Sequence, residues 1–312
     1  MTSPRSTFGV RRASFIPNHE RRTANHERRT TNDERLLVLK VGGELLENPE
    51  HLATVAAGAA AMAATAPIVI VHGGGKEIDA ALRAAGIEKR QVDGLRITDD
   101  ETLDVVVSVL AGRVNTRFVA ALNSVGVAAV GLTGADGLCG LSEAAPPHRA
   151  TDGRVVDLGR VGIPTAAADV RLLRVLCAEG FVPAIACVGI GLDGRLFNVN
   201  ADTFAGHLAA RLGARRLVIA GTTPGVQDAN GATLPVVDAV AVAALVADGT
   251  ATAGMIAKLR ACEQALSGGV NDVVIVDGRD RAALEAAATS EAPRSATRIV
   301  GSAALSGPRS RG

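Results

Sequence analysis

Tryptophan and tyrosine are absent from the 312-residue chain, and phenylalanine occurs only six times. Proteins that hold single-stranded nucleic acid stack its bases on exposed aromatic rings, so this poverty argues against such a role. It argues equally against an aromatic cage for a quaternary ammonium group. An excess of one charge is also missing: 33 basic and 32 acidic residues leave +1, and no broad basic face is offered to DNA or an anionic membrane. The basic surplus lies in residues 1–37, with eight Arg against four acids, so the remainder is mildly acidic. Cysteine is scarce. Cys139, Cys177, Cys187 and Cys262 form no CxxC pair and sit in apolar runs, which points to reduced, buried thiols of a cytoplasmic protein rather than a disulfide or zinc site. No uninterrupted apolar run approaches the roughly 20 residues of a membrane span. The histidines are scattered and form no metal-ligand pattern, so no protein-bound metal is expected.

What is present is aliphatic and glycine-rich. The hydrophobic fraction is 47%, built from Ala, Val, Leu and Ile, and Gly occurs 35 times. Residues 1–34 contain a seven-residue repeat, NHERRTA, NHERRTT and NDERLL, whose Arg/Asn/Thr bias predicts a disordered tail; residues 302–312 read as a flexible tail too. From Leu36 onward short apolar runs alternate with helical patterns. LLVLKV (36–41), PIVIV (67–71), VGVAAVGL (125–132), FVPAIACV (181–188), RRLVIA (215–220) and NDVVIV (271–276) read as buried strands. Two helices are expected between the last two, and a long helix over 99–123. Val/Ile/Leu runs separated by helices of ten or more residues predict a parallel sheet covered on both faces, in one αβα sandwich over about 35–301.

Two glycine patterns are decoys. Gly189-Ile190-Gly191-Leu192-Asp193-Gly194 satisfies GxGxxG, but the alternating RLFNVN that follows makes it a hairpin turn rather than a dinucleotide fingerprint. HGGGK (72–76) lacks the spacing and the Ser/Thr of a P-loop. Two other clusters remain, Gly42-Gly43 and Gly73-Gly74-Gly75, each at the carboxyl end of a predicted strand, where open parallel sheets bind ligands. Glycine turns there suit anions.

Lys40 interrupts a buried strand, and a buried ammonium needs an anionic partner. Lys258 sits near the start of a helix, where a cation opposes the helix dipole unless an anion lies between. Arg96, in an apolar strand, either clamps a carboxylate ligand or is held in a structural salt bridge. In Asn198-Val199-Asn200-Ala201-Asp202 the acid either caps its helix or positions the two lysines.

KVGG (40–43), VHGGG (71–75), VDGLRIT (92–98), GLTGADG (131–137), NVNAD (198–202) and GMIAKL (254–259) together resemble the amino acid kinase family, and within it the members that phosphorylate N-acetyl-L-glutamate. The resemblance runs from about Leu36 to Val300. It implies a three-layer αβα sandwich around an open, mainly parallel eight-stranded sheet. An acyl-amino-acid lobe would span about 35–198 and a nucleotide lobe about 199–301. It implies ATP with Mg²⁺ held by the nucleotide, and transfer of phosphate to the side-chain carboxylate in arginine biosynthesis. By motif, Lys40, Lys258 and Asp202 would be catalytic. Gly73, Gly74, Arg96 and Asn198 would bind the acyl amino acid. Gly42, Gly43, Thr222, Thr223, Gly225 and Val226 would bind phosphate and nucleotide.

An ionised carboxylate acceptor, with an ordinary pKa of about 4.3, needs no general base, in keeping with the lack of a candidate for one. The chain departs from the family pattern in Ala220-Gly221-Thr222-Thr223-Pro224-Gly225-Val226, which has no acid, and at Ala257 and Ala296, where Pro and Gly are usual. Arginine-inhibited members of the family carry an amphipathic N-terminal helix that builds a hexamer; the tail here lacks that apolar pattern, so the resemblance implies an arginine-insensitive homodimer. Two rival readings share the fold: a sister kinase for another carboxylate, such as aminoadipate or carrier-linked glutamate, and a non-catalytic arginine or nucleotide sensor.

Overall fold

The computed structural model of the protein describes residues 36–301, apart from 229, 239, 242–252, 290–292 and 294. Both expected tails lie outside the described residues, as does much of the first of the two helices expected between RRLVIA and NDVVIV. The apolar runs become strands β1 (Leu37–Val41), β2 (Ile68–His72), β3 (Ala129–Thr133), β4 (Val182–Ala186), β5 (Arg216–Gly221), β6 (Val236–Asp238), β7 (Asp272–Asp277) and β8 (Thr297–Val300). They form one eight-stranded sheet in the order β6-β8-β7-β5-β1-β2-β4-β3. Every pair is parallel except β7 with β8. The amino-terminal strands thus make one half of the sheet and the carboxyl-terminal strands the other, meeting where β1 pairs with β5. At such a reversal of strand order the carboxyl ends splay into a crevice.

The helices are α1 (Gly43–Glu47), α2 (Pro49–Thr65), α3 (Gly75–Ala84), α4 (Asp100–Ser124), α5 (Arg171–Ala178), α6 (Ala201–Leu212), α7 (Ala253–Ser267) and α8 (Arg281–Ala287). Side-chain caps set several starts: Asn48 for α2, Asp99 for α4, Asn200 for α6 and Asp280 for α8 each accept from the first free backbone N–H groups. A π-turn at Ser108–Val114 interrupts α4. By length and composition α4 is apolar enough to cross a membrane. Here it lays Leu110, Val114, Phe118 and Leu122 into the core, each essentially inaccessible.

A four-stranded sheet made by Val188–Ile190, Leu196–Val199, Val161–Pro164 and Ser142–Ala144 rises above the carboxyl ends of β2 and β4. Its first two strands pair antiparallel, so the GxGxxG decoy is the expected hairpin. The hairpin Gln91–Val92/Leu95–Arg96 stands beside it.

The predicted strand over 125–132 is displaced. Val125, Gly126 and Val127 close α4 by donating to the Leu122 and Asn123 carbonyls, and β3 begins only at Ala129. Strands β6 and β8, three and four residues long, are too brief for a period to show in the sequence. At the amino end of the sheet, Arg216 donates from Nε and Nη2 to the two Asp272 oxygens at 2.8 Å, and Arg298 Nε adds a third bond at 2.7 Å.

Candidate active site

Lys40 is the fourth residue of β1, with Ile219 and Val71 as its register partners on β5 and β2. This central place leaves it 8% exposed, so its charge needs compensation. Asp202 supplies it, with Oδ1 2.9 Å from Lys40 Nζ. Asp202 is not the helix cap. Asn200 takes that place, its Oδ1 accepting from the Asp202 and Thr203 amides at 2.9 and 3.1 Å, which leaves the Asp202 carboxylate to the lysine. The structure thus frees the Asp202 carboxylate from capping and pairs it with Lys40.

Lys258 lies in the second turn of α7. A close helix contact brings it near: a Cβ on Gly206 of α6 would sit 3.1 Å from the Ala261 carbonyl of α7, so glycine permits the approach of the helices bearing Asp202 and Lys258. Lys258 Nζ ends beside Gly221, at the carboxyl end of β5. Burial pulls Lys40 toward the neutral form, but the charge and hydrogen bond of Asp202 outweigh it and hold the group above the usual lysine value. For Lys258 burial, reinforced by repulsion from Lys40, wins over Asp202 and Glu44, and its value is lowered. The two ammonium groups thus share carboxylate partners and feel one another.

The two glycine turns touch. A Cβ on Gly43 would fall 2.7 Å from Gly74 Cα and 2.9 Å from Gly74 N, so only glycine lets the β1 and β2 turns meet at the floor of the crevice. Gly43, Gly73, Gly74 and Gly75 line a cavity of about 260 Å³, together with Lys40 and Asp202. The Gly42 amide is spent on the Ala220 carbonyl at 2.9 Å, so Gly42 ties β1 to β5 rather than offering an N–H to a ligand.

Arg96 and Asn198 enter the same cavity from the hairpin and the small sheet. Arg96 Nη2 is engaged by Asp79 and reaches the Gly75 carbonyl at 3.4 Å, while Nη1 is buried with no hydrogen-bond partner. One arm of the fork is anchored and the other makes no hydrogen bond. Asn198 Nδ2 donates to Thr98 Oγ1 at 3.1 Å, joining the NVNAD and VDGLRIT motifs across 100 residues of chain. Cys187 also lines the cavity, close enough to Lys40 to feel its charge, contrary to the purely apolar setting expected. Burial still pushes its thiol up to about 12, so it remains protonated.

The remaining predicted residues lie apart from this cavity. Thr222 and Thr223 follow β5, and the Thr222 carbonyl accepts from Arg279 Nη2 at 2.8 Å. The Val226 amide donates to the buried Thr297 hydroxyl at 2.8 Å, and Gly225 packs against Thr297. Thr297 of β8 and Arg279, just past the end of β7, thus hold the 222–226 segment. Asp79, Arg279 and Thr297 carry no signal in the sequence, whereas Asn200 stands within the NVNAD motif, as an Asn just before a helix. Among the described residues no three His, Cys, Asp or Glu side chains converge as a cation site.

His72, the last residue of β2, is fully buried against Phe118 at a ring separation of 5.9 Å, and burial pushes it down to about 4 despite its hydrogen bond with the Gly73 carbonyl. An unfolded histidine near 6.5 takes its proton first as pH falls, so stability declines from about pH 6.5 toward the folded value. Urea unfolding is expected to lose about 2 kcal/mol between pH 7.5 and 5, and His72→Gln should remove most of that loss.

The profile of the amino acid kinase family matches residues 35–277. An acetylglutamate kinase from Granulibacter bethesdensis is 45% identical over 217 residues, covering 68% of this chain and 72% of that protein. One from Rhizobium etli is 41% identical over 252 residues, 78% of this chain and 84% of its own length. In fold, the chain superposes on N-acetylglutamate synthase from Neisseria gonorrhoeae complexed with coenzyme A and N-acetyl-glutamate, with TM-score 0.73, 24% identity and 91% of this chain covered. It spans 64% of that synthase chain. Strand order, profile and relatives agree: the chain belongs to the amino acid kinase family.

Proposed function

We propose that the protein transfers the γ-phosphoryl group of ATP to the side-chain carboxylate of N-acetyl-L-glutamate, as a step of arginine biosynthesis. The Lys40–Asp202 pair facing a 260 Å³ cavity that also holds Arg96 and Asn198 is the observation that carries this reading. Relatives named acetylglutamate kinase over most of the chain support it.

The chemistry follows from the residues. Nη1 of Arg96 and the Asn198 amide hold the acyl amino acid, with the γ-carboxylate directed at the Gly43/Gly74 floor. An oxygen of that carboxylate attacks the γ-phosphorus, the bond to the ADP oxygen breaks, and an acyl phosphate and ADP result. Neither side needs a proton moved at the attacking oxygen. What opposes the reaction is repulsion between anions, and Lys40 and Lys258 offset it as charge spreads over the phosphoryl oxygens. Asp202 keeps the two ammonium groups in place. The carboxyl-terminal half of the sheet, about 199–301, is the nucleotide lobe and about 35–198 the acyl-amino-acid lobe, with Thr222, Thr223, Gly225 and Val226 along the nucleotide path. Mg²⁺ fits as an ion carried by the nucleotide phosphates, since Asp202 and Glu44 already serve the lysines; it supplies charge neutralisation on the phosphates. Four buried cysteines outside any disulfide suit a cytoplasmic protein. The half-exposed edge strand β3 leaves room for a homodimer.

Hydroxylamine trapping of the acyl phosphate across a panel of acidic amino acids tests the assignment. Hydroxamate formed with N-acetyl-L-glutamate, and ADP release dependent on it, are expected; aminoadipate as the sole good acceptor, or no turnover with any, would overturn it. Arg96→Lys should raise KM for the acceptor by ~10-fold or more with a smaller change in kcat, because an ammonium cannot be held by Asp79 and reach the substrate at once. Initial rates at saturating ATP read the split.

A further inference from the structure

A second carboxylate in the lysine cluster offsets the lysine charge but takes no part in the transfer steps above. Glu44 follows the Gly42-Gly43 turn in the first turn of α1. Its side chain folds back over that turn, so that a Cβ on Gly42 would lie 2.6 Å from the Glu44 carboxyl carbon. The space beside Gly221 is reached from two sides: a Cβ built there would lie 3.4 Å from Lys258 Nζ and 3.5 Å from Glu44 Oε1. The charge of Glu44 acts on Lys40 as well as on Lys258. Two ammonium groups therefore meet two carboxylates, Asp202 from α6 and Glu44 from α1. They differ in attachment: Asp202 is ion-paired with Lys40 at 2.9 Å, whereas Glu44 is half-buried at the mouth of the corner.

We propose that Glu44 is an internal competitor of the phosphoryl group, its carboxylate standing in the Gly42–Gly221–Lys258 corner of the nucleotide-free protein and having to give way when the γ-phosphate enters. The inference rests on the nucleotide reading of that corner. Its physical content is simple. A buried ammonium without a counter-charge is costly, so an empty site gains from a resident carboxylate. The same carboxylate repels an incoming phosphate across a few ångströms of low-dielectric space. A charge-balanced empty site is therefore obtained at the expense of nucleotide affinity, chiefly for the terminal phosphate.

Calorimetric titration of the full chain with a non-hydrolysable ATP analogue and with ADP, in the presence of Mg²⁺, tests this. Glu44→Gln keeps the shape and removes the charge. The analogue is expected to bind about tenfold more tightly to the variant, ADP by a smaller factor, and the gain should shrink at ~0.5 M salt as screening takes over. Melting curves guard against a misfolded variant, and Glu44→Ser provides a second one with the same expected direction. Unchanged affinity for the analogue in a folded variant would make Glu44 an ordinary solvated first-turn acid and overturn the proposal. Weaker binding with a raised Mg²⁺ requirement would overturn it in favour of a contact to the ion. If the wild-type chain bound no adenine nucleotide, the kinase reading itself would fall, and this inference with it.

Discussion

Lys40→Ala and Lys258→Ala are each expected to lower kcat by at least ~10²-fold, the scale of one lost charge stabiliser in an acyl or phosphoryl transfer. The reason lies in what the site does not contain. The acceptor is already ionised and the leaving group is a phosphate, so positioned positive charge is the main help the chain can give. Each lysine is held where the aqueous alternative is poor: Lys40 in a central strand at 8% exposure, Lys258 beside Gly221. Loss of either removes charge stabilisation at the transition state more than ground-state binding, so KM for the acceptor should move little. The two variants are expected to differ in stability. Removing Lys40 strands the Asp202 carboxylate, whose side chain is 16% exposed, with only Lys258 to compensate; removing Lys258 leaves the 2.9 Å pair intact. Coupled assays for ADP together with melting curves separate the effects. A near-normal rate from either variant would sink the catalytic assignment.

Asp272→Asn should cost about 3–5 kcal/mol of folding stability, the range for breaking a buried ion pair from one side. Asp272 is 3% exposed and Arg216 2%, and the carboxylate accepts three bonds from two guanidinium groups. An amide would present an NH2 group to a guanidinium and leave a buried cation without its counter-charge. Arg216 has further bonds, Nη1 to the Ala287 carbonyl at 2.8 Å among them, so it cannot turn toward solvent without losing those too. Because Arg216 and Asp272 begin their parallel strands, they lie at the end of the sheet opposite the cavity. Activity per folded molecule should therefore hold while the urea midpoint falls. A midpoint shift equivalent to less than about 1 kcal/mol would show that the triad is balanced by its own desolvation.

Much of the site was legible because its chemistry contradicts its surroundings. A lysine in LVLKV and an arginine in an apolar hairpin are costly unless they meet anions, and glycines at two strand ends are wasteful unless backbones must approach. These conflicts are local, so they show in sequence. Asp79, Arg279 and Thr297 carry no such conflict: an exposed-looking acid on a helix or a Thr at a strand start is ordinary until another element arrives. The displaced start of β3 has the same origin, since Val125–Ala128 reads as strand by composition and becomes the closure of α4 through its hydrogen bonds to Leu122 and Asn123.

Aliphatic runs of strand length between helical patterns, with no aromatic platform and no charged face, by themselves determined a covered parallel sheet, two anion-friendly glycine turns and the residue types that serve them. That much follows from burial energetics along the chain, where each segment must hide its own apolar surface. Tertiary structure alone decided which of those residues act together. Pairing of β1 with both β2 and β5 sets Gly43 against Gly74 and carries Lys40 to the crevice. The contact of α6 with α7 through Gly206 brings Asp202 and Lys258 into one electrostatic cluster, while the choice of Asn200 as cap releases the acid. It also decided that Gly42 spends its amide on Ala220 and Val226 its amide on Thr297. Hydrogen bonds and ion pairs need their partners within about 3 Å, so the partner each group takes depends on distances between segments that sequence spacing does not contain.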